Sequence, residues 1–331
     1  MAHSVLGVSL GRRRMLSVAG QVAAVAAASP VWAQSAQTPI RIVVGFPAGG
    51  TIDAVARMLA AHMKDDLGAS VIVDSRPGAG GQIAAQAVKQ APPDGRTLLL
   101  SPDHTMLMVP LTVKAPGFDP FVDFAPVGQV ARYAGGFAVA NRVPVRTLEE
   151  FFAWTKTHAT EGNIGVSAPG SIPHFFIRLL SQKLQIPLAS VPYKGSAPMV
   201  QDLMAGQIPA GTTALGDFVE PAQVGKLRIL EVLGDQRSGA VPQVPTMREL
   251  GYPVSWEYWL GLYAPARTES AEVQRINASL KRVLALPEVS ERMRKIVFEP
   301  AWGRPEDLTR LMHNGIDLWK PVVQSSGWVA Q

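Results

Sequence analysis

Between residues 40 and 101 the chain alternates short apolar runs with glycine-bearing loops and helix-periodic stretches. This alternation constrains the fold more than any other feature of the sequence. Residues 40–45 are apolar and of strand length, and they end in the loop Phe46-Pro47-Ala48-Gly49-Gly50. Thr51 suits an N-cap, and Ile52, Val55, Met58, Leu59, Met63 and Leu67 then recur at helical spacing. A second strand at Val71-Ile72-Val73 leads into a glycine-rich loop over 76–81 and a small-residue helix over 82–90. Pro92-Pro93-Asp94-Gly95 is a turn, and residues 97–101 form a third strand. Strands joined through helices read as βαβ units, so a parallel sheet with right-handed crossovers is predicted.

The pattern then restarts. Thr147 caps a helix to residue 158, residues 164–166 and 189–192 are strands, and residues 172–184 and 198–205 are helices. Another strand covers 228–232, and from Ala271 the positions Val273, Ile276, Leu280, Val283 and Leu284 keep one helical register. Helices over 288–297 and 306–318 follow. A length of 331 residues corresponds to roughly two domains, and 47% hydrophobic with 17% charged residues excludes general disorder. The predicted architecture is two α/β lobes, with 34–142 plus 256–331 as the first and 143–255 as the second.

The first 33 residues hold Arg12, Arg13 and Arg14 and no acid. A short alanine- and valine-rich stretch follows, ending in Val31-Trp32-Ala33. Basic start, apolar middle and small-x-small exit describe a secretory signal peptide cleaved after Ala33, and hence a periplasmic protein. The apolar stretch is shorter than the roughly 20 residues a membrane span needs, and Arg12-Arg13 with Met15-Leu16 also fits a twin-arginine export signal. The other 28 of the 31 basic side chains face 26 acidic ones, a balance that gives no argument for nucleic-acid binding. The absence of cysteine excludes disulfides and thiolate chemistry.

The catalytic motifs fall short. Gly225-Lys226 is followed by Leu227, so there is no phosphate-binding Walker loop. Gly78-x-Gly80 follows a strand as in a dinucleotide fingerprint, and Asp103 would be its ribose acid, but Ile83 stands where the third glycine belongs. Gly165-Val166-Ser167-Ala168-Pro169 lacks the closing glycine of a nucleophile elbow. The six histidines lack metal-ligand spacing. The aromatic cluster Trp256, Tyr258, Trp259 fits either a pocket wall or a core. What remains are helix starts at Thr51, Gln82 and Ile172, each behind a glycine- or serine-bearing loop. Such starts offer main-chain N–H donors to an anion without a dedicated arginine. No cofactor, metal or catalysis is expected.

Residues 39–57, from Pro39-Ile40-Arg41 through Gly45-Phe46-Pro47-Ala48-Gly49-Gly50-Thr51 to Arg57, closely resemble the opening of the Bug receptors. These are the extracytoplasmic solute-binding proteins of tripartite tricarboxylate transporters. Arg76-Pro77-Gly78-Ala79-Gly80-Gly81 with Pro93-Asp94-Gly95, Val191-Pro192-Tyr193-Lys194-Gly195, Gly206-Gln207-Ile208 and Val244-Pro245-Thr246 continue the likeness in order. The resemblance implies a type II periplasmic-binding fold of two lobes and a central cleft. It implies a small carboxylate ligand, membrane permease subunits as partners, a monomer, and no stable membrane insertion. By position it implies that Phe46, Ala48, Gly49, Gly50 and Thr51 hold one end of the ligand and that Ala79 and Gly80 flank it. Ser171, His174 and Asp217 would come from the other lobe, Asp217 standing where relatives often carry an acid that receives an amino or hydroxyl group. A ligand sensor serving a signalling partner, without transport, is the alternative function.

Overall fold

The computed structural model describes Met1 and residues 38–158, 161–252 and 256–328. Apart from Met1, the export segment 1–33 and its cleavage site lie outside the described residues.

The N-terminal alternation folds as expected. β1 (Ile40–Val44) lies between β2 (Val71–Ser75) and β3 (Thr97–Pro102) and is parallel to both. Its side chains obey the period of two: Ile40, Ile42 and Val44 enter one apolar core, Val43 the other. Helix α1 (Thr51–Leu67) buries Val55, Met58, Leu59 and Met63 against that first core, the stripe its spacing predicted. Burying each such side chain stabilises by roughly 1.5–3 kcal/mol. Gly68, at φ 64°, closes the helix with its N–H donating to the Lys64 carbonyl. The cap at the other end is Gly50, and Thr51 is the first helical residue rather than the N-cap. A 3₁₀ turn (Ala79–Gly81) then leads into α2 (Gln82–Lys89).

The three strands of the N-terminal alternation are parallel, as predicted, and the sheet becomes mixed through strands contributed from later in the chain. β4 (Phe124–Tyr133) leaves this lobe and β10 (Tyr258–Pro265) returns to it, so the two run side by side in opposite directions. With the edge strand β11 (Phe298–Pro300) the order is β11-β4-β10-β3-β1-β2. The second sheet has the order β7-β6-β8-β5-β9, from β5 (Gly135–Ala140), β6 (Asn163–Val166), β7 (Ala189–Pro192), β8 (Ala210–Ala214) and β9 (Leu227–Leu233). β5 hydrogen-bonds to β8 and β9. The outward passage between sheets therefore falls at Ala134, upstream of the boundary expected at 142.

A short π-helical turn (His104–Met108) and α3 (Val109–Thr112) follow β3, and α4 (Leu148–Thr157) begins at its predicted cap, where the Thr147 hydroxyl accepts the Glu150 N–H at 3.1 Å. The second lobe carries α5 (Ile172–Leu184), α6 (Ser196–Met204) and α7 (Gly216–Gln223). The chain ends in α8 (Ser270–Ala285), α9 (Pro287–Lys295) and α10 (Pro305–Ser325), whose C-terminal neighbour Trp328 donates its indole N–H to the Thr112 carbonyl at 2.9 Å. Among the described residues no helix is long and apolar enough to cross a membrane.

Candidate functional site

The C-terminal ends of β1, β3, β6 and β8 converge on a cavity of about 70 Å³ walled by both lobes. Ligands in open α/β sheets sit at this position. The first lobe contributes Phe46, Thr51, Asp103 and His104, with Tyr133 and Tyr258 from the two crossing strands; the second contributes Ser167, Ser171, Ser196, Thr213 and Asp217. The lobes touch around it. A Cβ built on Gly195 would lie 2.6 Å from Pro47 Cδ, and one on Gly216 would lie 2.0 Å from the Ile296 carbonyl oxygen. This is a closed conformation.

The expected donors at the start of α1 are taken by the protein's own carboxylates. Asp53 accepts the Gly49 N–H at 3.2 Å, the Arg57 guanidinium at 2.8 and 3.1 Å, and the Ser75 hydroxyl at 3.3 Å. Burial raises its pKa, but the bonds from Arg57, Gly49 and Ser75 outweigh that and hold it below the usual range. From the opposite lobe, Asp217 accepts the Thr213 hydroxyl at 3.2 Å; desolvation raises its pKa, partly offset by the nearby Ser196, Thr51 and Thr213 groups. Its carboxylate lies near Thr51 at the N-terminus of α1 in the other lobe, the end that favours negative charge.

At the start of α5 the donors remain open. Ser171 is buried, makes no capping bond, and its hydroxyl has no partner. Beyond it the cavity is walled by Asp103, whose carboxylate accepts the His104 main-chain N–H at 2.8 Å and the Trp256 indole N–H at 2.6 Å. Burial pushes Asp103 up to about 7 against those two bonds. Burial pushes the His104 imidazole down to about 4, and neither of its ring nitrogens has a partner. Tyr133 stacks between Tyr258 (centroids 5.4 Å apart) and Phe298 (4.4 Å). Burial raises the pKa of both tyrosines well above the ordinary value, so they present neutral hydroxyls.

Of the residues expected at the site, Phe46, Gly50, Thr51, Ser171 and Asp217 line this cavity. Ala48 and Gly49 are exposed and turn away from it. Ala79 and Gly80 line an adjoining cleft of about 250 Å³, together with Phe46, Ser167 and the exposed Lys194. His174 lines neither. Its ring packs edge-on against Trp328, centroids 4.9 Å apart, on the outer side of α5. The position two residues into a helix turns a side chain away from the N-terminal loop that Ser171 shares with the cavity. Sequence reading missed His104, Tyr133, Ser196 and Thr213 as wall residues, and it took Asp103 only for a ribose acid. The available signal was the polar run Ser101-Pro102-Asp103-His104-Thr105 between Leu98-Leu99-Leu100 and Met106-Leu107-Met108, an interruption that an ordinary buried strand would not carry.

Two lobes meeting around a cavity at their strand ends are the architecture of a solute-binding protein. Residues 55–328 match the tripartite tricarboxylate transporter family receptor, and the chain belongs to that family. It is 32% identical to BugT of Bordetella pertussis over 321 residues, covering 95% of this chain and 98% of the relative. The structure is similar to that of the periplasmic binding protein BugD, with TM-score 0.83, 30% identity and coverage of 88% of this chain and 99% of that one. It is equally close to Rpa4515 of R. palustris solved with adipate, with TM-score 0.84, 30% identity and coverage of 88% and 98%. The expected two-lobed periplasmic-binding fold and the resemblance to the Bug receptors both hold.

Proposed function

We propose that this chain is an extracytoplasmic receptor that captures a small carboxylate in the interlobe cavity and delivers it, as a monomer, to a tripartite tricarboxylate-type permease without transforming it. Export would remove residues 1–33. The observation that carries the reading is the start of α5, where Ser171 lines the interlobe cavity and its buried hydroxyl has no partner. A carboxylate there accepts that hydroxyl and the helix's leading N–H, and the helix dipole favours its charge. The adipate bound to a structural relative supports the same ligand class. The one acid–imidazole pair lining the cavity supports binding without catalysis: Asp103 bonds the main chain of His104 and not its imidazole, so this acid does not orient that base.

Mass spectrometry of the ligand released from protein purified from the periplasm, followed by calorimetric titration, tests the reading. A small carboxylate is expected. A ligand at 100 times its dissociation constant adds about 2.7 kcal/mol of stability. Recovery of a sugar or a peptide, with no response to any carboxylate, would overturn it. Uptake of the identified ligand through the permease, lost when the receptor is deleted, tests delivery.

A further inference from the structure

We propose that Lys194 selects a second charged group on the ligand. The receptor takes an extended dicarboxylate, one end at the start of α5 and the other in the adjoining cleft, between Lys194 and the second glycine loop. The proposal rests on the carboxylate-receptor reading and adds to it the ligand's far end and the residue that meets it.

The first argument is size. The cavity holds about 70 Å³. One water-sized group needs about 10–15 Å³, so about five to seven non-hydrogen atoms fit, a carboxylate and a short stub of chain. The cleft of about 250 Å³ continues the same space, because Phe46 and Ser167 wall both. A longer ligand anchored at Ser171 therefore leaves the cavity past Ser167 and enters the cleft.

The second argument is charge. The titratable wall of the cavity is Asp53, Asp103, Asp217, His104, Tyr133 and Tyr258, with no lysine or arginine. The cleft is the reverse. Among the described residues Lys194 is its only charged lining residue, and none of the three acids lines it. A second carboxylate is favoured beside a cation and away from the acids, which places it in the cleft.

The third argument is position. Lys194 is exposed, yet its backbone is pinned on both sides: the Tyr193 N–H donates to the Val166 carbonyl and the Gly195 N–H to the Ser167 carbonyl, both at 2.9 Å. The Tyr193 hydroxyl also donates to Asp202 at 2.8 Å. Gly195 sits against the other lobe, where a Cβ would lie 2.6 Å from Pro47 Cδ. Lys194 itself forms no ion pair among the described residues. Across the cleft the first lobe supplies the loop in which Gly78, Ala79, Gly80 and Gly81 stand at φ 142°, 47°, 65° and 94°. Ala79 carries a Cβ, so its left-handed backbone is strained, and such strain collects at ligand clamps. An anion between this loop and Lys194 bridges the lobes and favours their closure.

The mature chain, freed of co-purified ligand by unfolding and refolding, is titrated calorimetrically with hexanoate, 6-hydroxyhexanoate and adipate, which differ only at C6, and with 1,6-hexanediol as the uncharged member. Adipate is expected to bind more tightly than either monoacid. Lys194→Met is expected to weaken adipate about fivefold, what a well-placed but exposed charge pair supplies, while hexanoate changes by less than about twofold. Lys194→Arg, which keeps the charge, is expected to retain the preference. Raising salt from about 0.05 to 0.5 M is expected to shrink the adipate preference of wild type and leave that of Lys194→Met unchanged. Circular dichroism confirms that each variant folds. An adipate affinity unchanged by Lys194→Met, equal losses for adipate and hexanoate, or a monoacid that binds as tightly as adipate overturns the proposal while leaving the carboxylate reading intact. Binding of hexanediol with no response to any acid overturns both.

Discussion

Asp103 and His104 are chain neighbours, both buried, and displaced in opposite directions from their ordinary pKa values, so they should contribute opposite pH dependences to stability. Asp103 rises from 3.8 to about 7, so between these values the folded chain binds a proton that the unfolded chain releases. Its contribution to stability therefore grows as pH falls through that window. His104 drops from 6.5 to about 4, so between these values the unfolded chain holds the extra proton, and its contribution shrinks as pH falls. At about 1.4 kcal/mol per pH unit, acidification from pH 7.5 to 5.0 gains roughly 2–3 kcal/mol from Asp103 and loses roughly 2 kcal/mol at His104. In the wild type the two nearly cancel. Asp103→Asn removes only the gain, and its amide oxygen still accepts from Trp256. Measured by urea unfolding, its stability relative to wild type should fall by roughly 2–3 kcal/mol between the two pH values. His104→Gln should rise relative to wild type by roughly 2 kcal/mol over the same interval, and the double variant should track wild type within about 1 kcal/mol. The comparison is always with wild type at the same pH, so the many other carboxylates drop out. If both single variants parallel wild type, or both move the same way, neither group is buried as described.

Other consequences are open to direct test. Gly80→Val places a branched side chain against His104 Nε2 at φ +65°, and should abolish ligand binding in calorimetry at a stability cost of about 1–3 kcal/mol; normal affinity would remove the second loop from the site. Gly216→Ala sets a methyl group 2.0 Å from the Ile296 carbonyl oxygen where the lobes meet, so ligand should no longer compact the protein in X-ray scattering. An unchanged ligand-induced decrease in radius would count against the closure seen here. Asp217→Ala removes the carboxylate that faces Thr51 across the cleft, and the ligand-free protein should scatter as a more open particle. Scattering identical to wild type would show that Asp217 does not hold the lobes together. N-terminal sequencing of periplasmic protein should begin at Gln34; recovery of intact Met1 there would refute cleavage after Ala33.

Much of this protein was legible before its structure. The strands at 40–44, 71–75 and 97–102 and the helices at 51–67 and 172–184 follow from periodicity, because a period of two or 3.6 is written in near neighbours. The loops at the strand ends follow likewise, because glycine is the residue that permits their positive φ, 88° at Gly49 and 65° at Gly80. β5 was not legible. Its sequence opens Gly135-Gly136 and every residue in it is buried, so it shows neither the propensity nor the alternation of an ordinary strand, and only its partners β8 and β9 assign it to the second sheet. The site divides the same way. Thr51 and Ser171 were visible as residues beside helix starts, but their fates diverged once the lobes met. Thr51 faces the carboxylate of Asp217, 166 positions along the chain, whereas the Ser171 hydroxyl has no partner. Asp103 finds its donor in Trp256, 153 residues away. His174, one helical turn from being a ligand, is covered by Trp328 from the far end of the chain. Local pattern determines which segments form and which ends point at a common cleft. Which donors in that cleft are already satisfied depends on contacts between distant segments, and only the folded chain decides them.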